Sequence, residues 1–352
     1  MRSKFEEGSC YFIPGEYEFD DSLRFIYLKD GKTYQKSSQL FGQPLMHPVK
    51  KIFVYVVKRI FFNKSMMINE IPAVPEFQGT AFFIGTDKVS SGKAFDFDNN
   101  KVVTLYFSEK EFFLHLDNYH YFKSYFNSPQ MIMQNPNKLM IMEELIRYKY
   151  SADWSAEEFD FVMSRIFEHY IQYFIVCQRK GEFTFKGASA LISQLDPKDE
   201  GRILLEKMTN DQLLKENFPF LKMHGDLWAP NILLNRENNG ELYFIDFEYS
   251  DEYMFLYDIF WFIQTQFLNY NNEYFLKKYI LGAYDSYFQS MFSIFGLSFH
   301  KEYRKEYLTI YFANVYIKRW RKLSKKNRKI QVSKLRDIIN IQSNRDTLKQ
   351  LG

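Results

Sequence analysis

Met223-His224-Gly225-Asp226-Leu227-Trp228-Ala229-Pro230-Asn231-Ile232-Leu233-Leu234 sets an Asp and an Asn five positions apart between apolar segments. Fifteen residues beyond the Asn, Phe244-Ile245-Asp246-Phe247-Glu248 sets a second Asp among strand-forming residues. Carboxylates on short turns between buried strands are costly unless they find partners. A divalent cation is one such partner. One free carboxylate beside two oxygen ligands is also what phosphoryl transfer needs: Asp226 to take the proton of an attacking hydroxyl, Asn231 and Asp246 to hold the metal.

The rest of the 352-residue chain fits two domains or one large bilobal one. Apolar residues make up 46%, enough for substantial cores, and the net charge of +3 gives no reason to expect a nucleic-acid partner. Two cysteines, Cys10 and Cys177, are too few for a disulfide framework. With no apolar signal core near the N-terminus, a cytoplasmic location is expected. The most apolar stretch, 52–62, is broken by Lys58 and Arg59, whereas a membrane span needs about 20 apolar residues. Residues 48–65 read as a basic amphipathic helix, packed on its domain or, alternatively, lying on a membrane surface.

Outward from the motif, the pattern changes twice. Residues 1–75 form an N-terminal extension in which Phe25–Leu28 reads as a strand. From Thr80 the chain reads as a β-meander: 81–84, a Gly/Ser-rich hairpin through Ser90, Ser91 and Gly92, 93–98, and 102–107. Backbone N–H groups of such a hairpin can bind phosphates, although a turn is the plainer reading. A helix follows over 109–126 and a strand over 139–142. Ser155 and Glu158 form a capping-box signal. Helices are expected from about 272 to 294 and from 301 to 323, and Lys318–Lys329 holds eight basic residues in twelve. The fold class is therefore α+β, with a small β-rich N-lobe (76–145), a larger, mostly helical C-lobe (146–352), and a cleft between them as the expected nucleotide site.

His224-Gly225-Asp226-…-Asn231 followed by Ile245-Asp246-Phe247-Glu248 resembles the aminoglycoside phosphotransferase / choline kinase superfamily of small-molecule kinases. The resemblance implies a protein-kinase-like fold, with ATP and Mg²⁺ as cofactors and a sugar, polyol or amino alcohol as acceptor; a surface-polysaccharide precursor would suit. It makes Asp226 the catalytic base, Asn231 and Asp246 the Mg²⁺ ligands, and His224 and Asp258 supports of the loop. It makes Glu143, Glu144 and Leu145 part of an adenine-binding hinge, where backbone matters more than side chain. Trp228, Glu248 and Trp261 are candidates for the acceptor pocket.

Two departures stand out. The family's phosphate-binding Lys belongs on the strand that here reads Val102-Val103-Thr104-Leu105-Tyr106, which has none. Lys101 or Lys93 is left to substitute, with Glu111 or Asp117 as its acidic partner. Choline and ethanolamine kinases carry a Glu where this chain has Thr265, which makes a choline-type kinase the runner-up. A nucleotide-binding pseudokinase scaffold is the reading from a different class.

Overall fold

The computed structural model describes residues 5–6, 8–20, 25–41, 65–69, 72, 74–84, 91–196, 200–208, 211–236, 240–324 and 326–333. The basic segment 48–64, the hairpin tip 85–90 with Ser90, and the chain after 333 lie outside them. Two compact units result: 1–160 with 232–248, and 161–231 with 249–352.

The first unit is built on an eight-stranded antiparallel sheet. In chain order its strands are β1 (Gly15–Asp20), β2 (Phe25–Leu28), β3 (Ser65–Ile68), β4 (Ala81–Ile84), β5 (Ser91–Asp96), β6 (Lys101–Tyr106), β7 (Met131–Asn135) and β8 (Met140–Glu144). Their spatial order is β3-β1-β2-β4-β5-β6-β8-β7. The N-terminal extension thus continues the meander's own sheet through the pairing of Phe25 with Phe83. Alternation along the strands sends Phe82, Ala94, Val103, Leu105, Met140 and Met142 to one face, where Phe5, Phe12, Tyr17 and Phe77 cover them. Each fully buried Phe in this layer contributes roughly 1.5–3 kcal/mol. Gly92 faces this layer: a Cβ there would lie 2.4 Å from the Phe82 ring, so its missing side chain has a packing use.

The opposite face carries helix Glu109–Phe122, whose Phe112 and Leu116 pack on Ile141 and Tyr106. A small antiparallel sheet, Tyr148–Lys149, Ile232–Asn235 and Leu242–Phe244, completes this unit. Ser155 and Glu158 exchange the reciprocal bonds of a capping box, with Ser155 N–H to Glu158 Oε2 at 2.6 Å and Glu158 N–H to Ser155 Oγ at 3.2 Å.

The second unit is mostly helical around a three-stranded sheet, Thr184–Gly187, Asn217–Met223 and Asp251–Met254. Here the structure corrects two expectations. Residues 272–294 are two helices, Tyr274–Leu281 and Asp285–Ile294, because Gly282 takes φ 90° and caps the first. The last long helix is Arg304–Lys318, shorter than 301–323. No described helix is long and apolar enough to cross a membrane.

Candidate active site

In the first unit the site forms around Asp246. Its backbone has φ 62°, a left-handed conformation that a non-glycine residue holds only when its surroundings fix it. They do so here on the C-terminal side. Phe247 stacks on Phe122 at 4.6 Å with 10° between the ring planes. Asn118 Nδ2 donates to the Phe247 carbonyl at 2.8 Å. Both partners stand on helix Glu109–Phe122, so that helix sets where the Asp246 carboxylate sits.

Lys93 meets it. Its Nζ lies 2.9 Å from Asp246 Oδ1. Lys101, by contrast, donates to the backbone carbonyl of Glu76 at 2.7 Å, so of the two candidates only Lys93 reaches the second motif. The register explains why. Lys93 pairs with Thr104, Thr104 with Ile141, and Val102 with Glu143. Lys93, Thr104 and Glu143 therefore share one face, and Lys93 occupies, one strand over, the place a lysine at Thr104 would fill. Burial opposes the charge on Lys93, but Asp246, then Glu143 and Glu248, outweigh it and raise its pKa.

The acidic partner also differs from the sequence reading. Glu111 and Asp117 do not figure among the groups acting on Lys93, whereas Glu143 does. Burial pushes the Glu143 carboxyl up to about 7 against the pull of Lys93, with Asp246 and Glu144 adding to the rise. Its side chain shares the sheet face of Lys93, whereas the expectation gave weight to the hinge backbone alone. Glu144 Oε1 instead accepts from Gln130 N–H at 2.9 Å. The amides of Glu144 and Leu145 are bonded to the carbonyls of Gln130 and Asn100. Ser91 opens β5. His115 lies against Tyr106 at 5.4 Å, held neutral by burial, its pKa lowered to about 4. Glu248 is exposed.

In the second unit the site forms around Asp226. Asp258, fully buried, braces the loop before it. Its Oδ2 accepts from His224 N–H (2.8 Å) and Tyr170 O–H (2.7 Å), and its Oδ1 from Gly225 N–H (2.8 Å). Leu256 is the helix cap and Asp258 lies in the first turn, so its capping is directed at this loop rather than at its own helix. His224 Nδ1 accepts from Asp226 N–H at 3.3 Å. Gly225 takes φ 79°, and a Cβ there would lie 2.2 Å from the Tyr249 carbonyl oxygen. Asn231 Nδ2 donates to the Asp226 carbonyl at 2.9 Å and approaches its carboxylate at 3.4 Å, which leaves the amide oxygen as a metal donor. The half-buried Trp228 accepts from Asn231 N–H through its carbonyl at 2.9 Å.

One residue of this half was missed. Arg319 Nη2 lies 2.9 Å from Asp226 Oδ1 and also donates to the Gly225 carbonyl. Its guanidinium sits 3.9 Å from the Trp261 ring centroid and 4.9 Å from that of Tyr249. In the sequence it is one of eight basic residues in a run that reads as a solvated face; only its direction at the end of helix Arg304–Lys318 sets it apart. Trp320 is core, packed near Phe312 and Tyr316. Thr265 is buried, its hydroxyl bonded to the Phe262 carbonyl at 3.0 Å.

Residues 182–284, which hold both motifs, match the model of the phosphotransferase enzyme family. No curated protein sequence matches the chain. Among solved structures, choline kinase LicA from Streptococcus pneumoniae is similar at 12% identity and a TM-score of 0.42, over 85% of this chain and 100% of that one. Amicoumacin kinase hAmiN, in complex with AMP-PNP, Ca²⁺ and Ami, matches at 12% and 0.41, over 74% and 87%. An aminoglycoside phosphotransferase from Streptomyces rimosus matches at 10% and 0.37, over 65% and 90%. These likenesses are remote, and the family match is confined to residues 182–284.

Proposed function

We propose that the protein transfers the γ-phosphoryl group of ATP to a hydroxyl of a small metabolite. The acceptor oxygen forms the new bond to phosphorus, the bond to the ADP oxygen breaks, and the hydroxyl proton passes to Asp226. Asn231 and Asp246 offer amide and carboxylate oxygens, the donors that Mg²⁺ prefers. When bound, Mg²⁺ neutralises phosphate charge. Lys93 holds the nucleotide's phosphates, with Glu143 as its second acidic neighbour. His224 and Asp258 hold the Asp226 loop in a fixed shape, so little reorganisation is needed as the hydroxyl is oriented.

The observation that carries this reading is the Lys93–Asp246 ion pair at 2.9 Å. The pseudokinase reading rests on the lack of a lysine within Val102–Tyr106, and Lys93 supplies that charge from β5. A choline-type kinase is disfavoured by Thr265, whose hydroxyl is spent within its own helix. Mg·ATP-dependent ADP release over a panel of polyols, sugars and amino alcohols tests the proposal. Asp226→Ala should abolish acceptor-dependent release yet keep the thermal shift with Mg·ATP. Undiminished turnover in that variant would sink the assignment.

A further inference from the structure

Beside Asp226, Arg319 and two aromatic neighbours carry hydrogen-bond donors that the fold leaves without partners. The Arg319 guanidinium packs on the rings of Trp261 and Tyr249. Nη2 is engaged with Asp226 and Gly225, but Nε is buried with no hydrogen-bond partner. Two more donors on the same aromatic wall are in that condition, the Tyr257 hydroxyl and the Trp261 indole N–H. The wall is continuous: Tyr257 stacks on Tyr253 at 4.1 Å and on Trp261 at 5.9 Å. Tyr257 is fully buried. A buried donor without a partner costs on the order of 1–3 kcal/mol, so three together call for a ligand rich in acceptor oxygens.

We infer that the acceptor is an anionic alcohol, a small hydroxyl compound bearing a carboxylate or phosphate, and that Arg319 selects it; this rests on the phosphotransferase reading above. A guanidinium fork matches the oxygens of either anion, and the flanking donors add to that match. A cationic acceptor finds the opposite. The Trp261 face that would hold an ammonium group already carries the guanidinium. The Arg319–Asp226 pair is the reachable part of the assembly, with side chains 22% and 21% exposed. The anion enters by exchanging with the Asp226 carboxylate on Arg319. That exchange releases Asp226 from its ion pair and hands it to the acceptor's hydroxyl, so the base is unmasked only when the right acceptor is present. Arg319 is a specificity and positioning residue here, since the proton goes to Asp226.

The test uses the full chain and charge-matched probes: glycerol, glycerate, glycerol 3-phosphate, ethanolamine and choline, alongside sugar acids, sugar phosphates and neutral sugars. ADP release gives kcat/KM for each, for wild type, Arg319→Lys and Arg319→Gln, with thermal melts to confirm folding. The anionic members should exceed their neutral and cationic counterparts at least tenfold. Arg319→Gln should level that preference while its Mg·ATP shift stays that of wild type, and Arg319→Lys should keep part of it. The carboxylate and phosphate arms show which anion the site takes. A preference for cationic probes, or an anion preference intact in Arg319→Gln, overturns the inference alone. Mg·ATP binding without turnover of any anionic probe also overturns it. Absence of both Mg·ATP binding and turnover overturns the function beneath it.

Discussion

Asp246 shows how much single residues carry here. A left-handed non-glycine backbone costs about 1–2 kcal/mol, and that cost is borne where the carboxylate meets Lys93. If Lys93 supplies the phosphate charge, Lys93→Ala should lower kcat/KM for ATP by about 10²–10³-fold, on the scale of removing one preorganised charge. Lys101→Ala, whose ammonium serves the Glu76 carbonyl, should stay near wild type. Steady-state kinetics with varied ATP separates the two. Gly225 allows a sharper stability prediction. Alanine would bring both a positive-φ penalty and a Cβ 2.2 Å from a backbone oxygen that cannot rotate away. Gly225→Ala should destabilise the protein by at least about 2 kcal/mol in urea unfolding.

At the scale of elements, two devices hold the reacting groups. Asp258, from the first turn of helix Tyr257–Tyr270, takes two loop N–H groups and the Tyr170 hydroxyl. Asp258→Asn keeps the shape but turns an acceptor into a partial donor. It should cost about 1.5–3 kcal/mol in stability and lower kcat more than it raises KM for ATP. Helix Glu109–Phe122 holds Asp246 through Asn118 and Phe122. Asn118→Ala should raise KM for ATP several-fold while leaving acceptor KM unchanged.

The motif and the meander were legible because apolar runs and turn residues mark them. β1 was not. In Gly15–Asp20 (GEYEFD) alternate glutamates mask the pattern, although Tyr17 is fully buried. Which lysine meets Asp246 depends on register across β5, β6 and β8, which composition does not encode. Arg319 was hidden because seven like charges surround it in sequence. The break at Gly282 was visible as a glycine, but only its φ of 90° makes it a helix end.

At the scale of the whole molecule, stability reports on the Lys93 cluster. The Glu143 carboxyl has its pKa pushed up by burial from 4.5 to about 7. Between those values the folded chain keeps a proton that the unfolded chain has released. Stability therefore falls as pH rises through that window, by on the order of 3 kcal/mol at most, and stays low above it. Glu143→Gln removes the titration. Its urea midpoint relative to wild type should climb between pH 5 and 8 without ligand, and parallel curves would place Glu143 in water.

The most direct measurement of the central claim is acceptor-dependent ADP release from Mg·ATP by wild type and Asp226→Ala, both shown folded by thermal melt. The account predicts release by wild type that needs both Mg²⁺ and a hydroxyl acceptor, and a loss of about 10²–10⁴-fold in the variant. Equal release by the two proteins, or release by wild type without magnesium, would contradict it.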